Sequence, residues 1–287
     1  MTAYSYDTDQ IMAQENTQTG NQKPWALVTG ASAGIGAEFC RQLAARGYQL
    51  VLVARREDKL QEIAEELKNE YGANSLIITA DLSIKGASLA IFKRLEEEHI
   101  EVEYLVNNAG YGLPGSFHIP DWQAHADFIQ VMMTAVCELT YHLLAGMRER
   151  GRGFIINVSS VAALIPSSAG HTLYGASKVF LIKFTESLIL ENEANGVKVT
   201  ALCPGFTYSE FHDVNNTRHA VNQLPSYMWL QSEMVVREAL EAMSQSKVKS
   251  PIVPAKVYKI IVWINRYLPW LGNMIIKRNA SNYRVTE

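Results

Sequence analysis

The sequence predicts an α/β fold: one parallel, doubly wound sheet with helices on both faces. Three observations predict it. Short apolar runs of strand length alternate with helix-period stretches from Trp25 to Pro254. A glycine-rich turn joins the first strand to the first helix. No internal repeat or change of composition marks a second domain in the 287 residues. Residues 1–23 read as a polar tail, 24–254 as the single α/β domain, and 255–287 as a basic amphipathic extension.

Pro24 to Thr29 reads as a buried strand, followed at once by Gly30-Ala-Ser-Ala-Gly34-Ile35-Gly36 and a helix through Phe39 and Leu43 to Gly47. Glycines allow a tight turn and a close approach of backbone to a pyrophosphate, and the helix N-terminus faces the anion. A bare strand-to-helix turn is the alternative. Leu50 to Ala54 is the second strand. Here a dinucleotide fold places the residue that reads the adenosine ribose, and a carboxylate would select NAD. Ala54 supplies none and Arg55 follows, so a 2′-phosphate and NADP (NADPH) are expected, with Ser32 as a second donor. Arg56 reads as a solvated residue at a helix start.

A helix follows from about Glu57 to Tyr71, then a strand at Ser75 to Thr79 and the pair Asp81-Leu82. Asp81 could accept from an adenine amino group or cap the next helix, about Gly86 to Glu98. A strand ending at Asn107 leads into Asn108-Ala109-Gly110. One long helix is expected from Trp122 to Arg150. A strand at Phe154 to Ser160 follows, then an apolar loop and a helix to about Asn195 carrying Tyr174 and Lys178. Lys198 to Cys203 is a strand before Pro204-Gly205, residues 206–231 are irregular and aromatic-rich, Ser232 to Ser246 is a helix, and Pro251 to Pro254 is a last short strand.

Composition limits the function classes. Net charge is −3, which argues against a nucleic-acid protein. Cys40, Cys137 and Cys203 form no metal-ligand or disulfide pattern, so a reducing, cytoplasmic setting is expected and no metal. Cys203 reads as a small buried hydrophobe, and His212 and His219 receive no role. No signal peptide and no membrane-spanning run is visible.

Tyr174 and Lys178 lie four residues apart, on one face of a helix. A cation beside a phenol favours phenolate and suits a proton donor at neutral pH. Taken with Thr29-Gly-Ala-Ser-Ala-Gly-Ile-Gly36, Asn107-Asn-Ala-Gly110, Ile155-Ile-Asn-Val-Ser-Ser160 and Pro204-Gly205, the Tyr174-Gly-Ala-Ser-Lys178 stretch resembles the short-chain dehydrogenase/reductase family over about residues 24 to 254. The resemblance implies a Rossmann-type fold and NAD(P)-dependent oxidation of alcohols or reduction of carbonyls. It implies Tyr174 as general acid, Lys178 as the group that tunes it and holds the nicotinamide ribose, and Ser160 as the residue that orients the carbonyl, with Ser159 the competing assignment. It places Asn108, Ala109 and Gly110 on the adenosine half of the cofactor, and Thr207 and Ser209 near the nicotinamide amide and phosphate. Relatives carry an asparagine in the long helix that holds a water beside the lysine. Met132 stands at that position, and a thioether is a poor hydrogen-bond partner. The proton relay is therefore expected to be rerouted or turnover slow.

Tyr111, Leu113, Phe117, Leu164 and Ile165 flank the site, and the 206–231 stretch adds more aromatic residues, so a bulky hydrophobic carbonyl is favoured, among them a 3-ketoacyl or other lipid-derived ketone. The alternatives are an NADP-binding protein with vestigial chemistry and an alcohol dehydrogenase working oxidatively. Eight basic residues follow Ser246 (Lys247, Lys249, Lys256, Lys259, Arg266, Lys277, Arg278 and Arg284) against Glu287 alone. The end is thus +7 and the body −10. On a helical template Val257, Ile261, Ile264 and Leu268 form an apolar stripe beside Lys256, Lys259, Trp263 and Arg266. Such a helix suits peripheral contact with the cytoplasmic face of an anionic membrane, or packing on the protein itself. A homodimer through the two long helices is implied by the resemblance.

Overall fold

The computed structural model describes residues 23–113, 115–167, 170, 172–209, 225–268 and 270. The tail through residue 22, Phe211, His212, His219 and the segment after Trp270 lie outside the described residues. Six strands form one parallel sheet: β1 (Trp25–Thr29), β2 (Gln49–Ala54), β3 (Ser75–Thr79), β4 (Val102–Asn107), β5 (Gly153–Val158) and β6 (Val197–Leu202). Their spatial order is β3-β2-β1-β4-β5-β6. The chain therefore winds outward from β1 to β3, then returns to the other side of β1 for β4. That reversal opens a crevice at the carboxyl ends of β1 and β4, where a doubly wound sheet binds its ligand.

Alternate side chains of each strand serve opposite faces. Ala26, Val28, Leu50 and Leu52 join a core with Phe39 and Leu43 of α1 (Gly34–Ala45), Leu60 and Leu67 of α2 (Glu57–Tyr71), and Val235 and Ala239 of α7 (Ser232–Ser244). Leu27, Val51, Val53 and Leu105 face Ile91 and Leu95 of α3 (Ala87–Glu97), Phe128 of α4 (Trp122–Ile129), and Leu139 and Met147 of α5 (Ala135–Glu149). Cys203, at the end of β6, is fully buried among apolar neighbours, and the three cysteines are free.

Two expected elements are corrected. The long helix is not continuous: a π-helical turn, Gln130–Thr134, separates α4 from α5. By length and composition the Trp122–Glu149 stretch could cross a membrane. Here Phe128, Val131, Met132, Leu139 and Met147 are buried against the sheet, so it serves as a core helix. The stretch Pro251 to Pro254 is not a strand. Only Ile252 pairs, through a single parallel bridge to Leu202. Its neighbours Pro251 and Pro254 lack the N–H groups that a ladder needs.

A buried polar ladder lies under the crevice. Asn107 and Asn157 are register partners on β4 and β5. The Asn107 amide donates to Asn157 Oδ1 (2.8 Å) and Thr140 Oγ1 (3.2 Å), and the Asn157 amide donates to Thr185 Oγ1 (2.9 Å). Thr185 sits on α6 (Thr172–Asn192), so the ladder ties the sheet to the helix that carries Tyr174 and Lys178. The last helix, α8 (Lys256–Tyr267), packs Val257, Tyr258 and Ile261 on the α1–α7 side of the core.

Candidate active site

All the sequence-predicted site residues fall at the carboxyl ends of the strands or on the helix that follows. Gly30 to Gly36 leave β1, Arg55 leaves β2, Asp81 and Leu82 follow β3, and Asn108 to Gly110 follow β4. Ser160 follows β5, Tyr174 and Lys178 sit on the first turns of α6, and Pro204, Gly205 and Thr207 follow β6.

The glycine loop is shaped by close approach. Gly30 and Gly34 have φ of 66° and 54°, which L side chains rarely adopt. A Cβ on Gly36 would fall 2.1 Å from the Gly30 carbonyl oxygen and 2.6 Å from the Asn108 side-chain nitrogen. That nitrogen donates to the carbonyls of Thr29 (2.9 Å) and Gly30 (3.3 Å), while Thr29 Oγ1 accepts from the backbone of Asn108 and Ala109 at 3.0 Å each. The Asn108 side chain thus braces the loop across the switch point. Ala33, the N-cap of α1, makes no side-chain cap bond, and the first turn holds no acidic residue. The helix start is therefore free to receive an anion. A cavity of about 520 Å³ opens beside it between Ser32, Gly34, Lys59, Tyr208 and Ser209, on the phosphate side of the site rather than at Tyr174.

Arg55 and Arg56 are both exposed at the end of β2. The Arg56 guanidinium donates to Ser32 Oγ at 3.1 Å, so this arginine, expected to be simply solvated, joins Ser32 beside the glycine loop. Its position as N-cap of α2, folding back over the glycine loop, is what the strand-end pattern did not reveal. Asp81 does not cap α3, whose N-cap is Gly86. Its Oδ1 accepts from the backbone and hydroxyl of Ser83 at 2.9 and 2.8 Å, closing the turn after β3. Leu82 is buried in the core.

The two serines of the β5 end separate cleanly. Ser159 is buried, and its hydroxyl donates to the Lys178 carbonyl at 2.7 Å. Ser160 Oγ accepts from Ala162 N (3.1 Å) and shares a hydrogen bond with the Tyr174 phenol. The Lys178 Nζ donates to the Val158 carbonyl at 2.9 Å and lies 5.6 Å from the centre of the Tyr174 ring. A Cβ on Gly110 would meet Met132 Sδ at 2.9 Å and Lys178 Nζ at 3.8 Å. Met132 and the lysine head therefore border the same small space, which only a glycine leaves open.

Burial dominates the electrostatics. It raises the Tyr174 phenol above its ordinary pKa, against the pull of the Ser160 hydrogen bond toward phenolate. It lowers Lys178 to about 8, with the nearby Cys203 acting in the opposite sense. A cation beside the phenol is expected to favour phenolate, but burial, the largest influence on each, moves both groups toward their neutral forms. Burial likewise pushes the Cys203 thiol up to about 12.

The chain belongs to the short-chain dehydrogenase family: the family model described as short chain dehydrogenase matches residues 24–220. It is an oxidoreductase of the kind that acts on CH–OH and C=O groups. It is similar to a very-long-chain 3-oxoacyl-CoA reductase of Anas platyrhynchos, 31% identical over 265 residues, covering 90% of this chain and 80% of the relative. A 7beta-hydroxysteroid dehydrogenase of Mediterraneibacter gnavus is 34% identical over 183 residues, covering 64% of this chain and 68% of the relative. Among solved structures, a short-chain dehydrogenase from Sphingobium yanoikuyae in complex with NADPH superposes with a TM-score of 0.75 at 30% identity, covering 88% of this chain and 94% of that one.

The lysine gives a test in the free protein. The unfolded chain keeps the Lys178 proton to near 10.5, whereas the folded state releases it near 8. Burial of the ammonium therefore costs stability at pH 7, by roughly 3 kcal/mol, and the cost fades as pH rises from 8 toward 10.5. Lys178→Met is expected to unfold at higher urea than the wild type at pH 7, with the gap narrowing by pH 10. A gap that stays constant across that range would contradict the assignment.

Proposed function

We propose that this protein reduces a hydrophobic ketone with NADPH. The observation that carries the reading is the convergence of Ser160, the Tyr174 phenol and Lys178 at the end of β5. The glycine loop and the start of α1 would hold the pyrophosphate. Ser32 and Arg56, with Arg55 beside them, would hold the 2′-phosphate, and guanidinium–phosphate pairing selects NADPH over NADH. Asp81, Leu82 and Asn108 to Gly110 line the adenosine half. Lys178, Pro204, Gly205 and Thr207 line the nicotinamide half. The cofactor, when bound, supplies a hydride.

The chain's own groups do the rest. Ser160 holds the substrate carbonyl oxygen by a hydrogen bond. The Tyr174 phenol gives its proton to that oxygen as negative charge develops there. Lys178, in its charged form, lowers the cost of the phenolate that remains. Tyr111, Leu113 and Leu164 supply apolar walls, and Tyr208 stacks on Trp229 at 4.8 Å. These surroundings favour a bulky substrate, with 3-ketoacyl chains and steroid-like ketones both fitting the chemistry and both represented among the names of the relatives. Reduction is the favoured direction because cells keep the NADP pool reduced. A second reading, NADP binding with slow turnover, rests on Met132, whose thioether cannot hold a water beside Lys178.

The assembly and location complete the reading. A homodimer through α5 and α6 would cover Tyr141, Val179 and Leu190, which are exposed on those helices. On α8 Val257 and Ile261 are turned to the core, while Ile260, Trp263 and Tyr267, and Trp270 beyond its end, are each more than half exposed. Lys256, Lys259 and Arg266 flank them, and no acidic residue occurs from Lys256 to Trp270. This face suits peripheral docking on an anionic membrane from the cytoplasm.

Two experiments test the reading. NADPH consumption over ketones of increasing chain length should give activity that rises with chain length and falls at least a hundredfold in Tyr174→Phe. NADPH binding without oxidation across the panel would favour the second reading, and full activity without the phenol would refute the mechanism. For the membrane, the full-length protein should sediment with phosphatidylserine vesicles and Trp263→Glu/Tyr267→Glu should not. Equal sedimentation of the two proteins would sink the docking face.

A further inference from the structure

The bulkiest fully buried side chain in the described structure belongs to none of the motifs. Tyr258, in the first turn of α8, is 2% exposed. Its ring fills the space that a Cβ on Gly205 would occupy, with ring carbons 1.9 to 2.3 Å from that position. Its hydroxyl donates to the Met228 carbonyl at 2.5 Å and accepts from the Phe206 backbone N–H at 3.0 Å. Phe206 follows Gly205 directly, and Met228 ends a short 3-10 turn, Ser226–Met228, on the leg that returns toward α7.

These two legs meet again just beyond the tyrosine. Leu230 N donates to the Phe206 carbonyl (2.8 Å) and Tyr208 N to the Leu230 carbonyl (2.9 Å), around a parallel bridge of Thr207 with Leu230. The start of α8 is held in turn by Glu238 of α7, which accepts from Ala255 N (3.3 Å) and pairs with Lys259 (3.5 Å). On the other side, the Pro204 carbonyl accepts from Val161 N at 3.0 Å, next to Ser160. A continuous run of contacts therefore joins α8, through one phenol, to the backbone beside Ser160.

We infer that Tyr258 is a positioning residue: it fixes the backbone of Gly205 to Thr207, and with it the nicotinamide end of the cofactor site, while the adenosine end is built without it. The inference rests on the NADPH reading above. The glycine at 205 follows from the same geometry, because any side chain there would expel the ring. The tyrosine hydroxyl bonds to both legs at once, so its loss leaves a backbone N–H and a carbonyl without that bond and weakens the joint between the legs.

Tyr258→Phe keeps the ring and removes the two hydrogen bonds. Expected are a loss of NADPH affinity of about fivefold or more and faster amide exchange at Phe206. Affinity for 2′-AMP, a probe of the adenosine end alone, should change less than about twofold. Equal weakening of NADPH and 2′-AMP would reduce Tyr258 to a general stabiliser, and unchanged NADPH affinity and Phe206 exchange would also overturn the inference. Should Tyr258→Phe not fold, Glu238→Ala, which loosens the start of α8, is read in the same assays with the same split expected. Failure of the wild type to bind NADPH would instead refute the cofactor reading and is distinguishable from either result.

Discussion

The site is organised around one buried amine. Lys178 is 5% exposed, and three parts of the fold are needed to seat it. The end of β5 offers the Val158 carbonyl to its head group, and Ser159 pins its backbone. The turn after β4 provides Gly110, whose missing side chain leaves room for the head group and for Met132. The asparagine–threonine ladder beneath locks α6 against both strands. Taking an ammonium out of water is costly, and with no carboxylate partner among the described residues the group answers by losing basicity. The phenol four residues away is pushed the opposite way by the same burial. A cofactor and a polarised carbonyl bring new charge into this space, so the pair is poised to change ionisation when ligands arrive.

Much of this was legible in the sequence, and for identifiable reasons. Backbone devices leave strong marks: glycines at 30, 34 and 36, the small run after β4 and the strand periodicity each have few physical explanations. The Tyr174–Lys178 spacing was legible because a helix repeats every 3.6 residues. Contacts between residues distant in sequence were not. The Arg56–Ser32 pair spans 24 positions and Tyr258–Phe206 spans 52. Nothing in the residues near Tyr258 marks it as the cap on Gly205. The choice between Ser159 and Ser160 turns on which hydroxyl faces the helix carbonyl and which the phenol, a matter of strand register at β5 that spacing alone left open. The π-helical turn at Met132 was hidden because its apolar residues continue the helical pattern on either side.

The carboxyl-terminal helix changes most on passing from sequence to structure. Its charge and Trp content suggested an appendage, either membrane-seeking or packed on the body. The fold gives the two stripes separate jobs. Val257, Tyr258 and Ile261 complete the core on the α7 side, while the aromatic and basic stripe stands outward. On the proposed reading, a helix with its inward side bonded to the two legs and its outward side docked on a lipid surface would hold the mouth of the site close to where hydrophobic ketones dissolve. Removing the whole extension would therefore confound two effects, and substitutions confined to the outward stripe separate them.

The central claim is that the lysine head group is dry and poorly basic before ligands bind. Titration of Lys178 in the free wild-type protein, followed through the carbon next to its amine by NMR, tests it most directly. The account predicts a midpoint near pH 8. A midpoint at the ordinary lysine value of about 10.4 would contradict it.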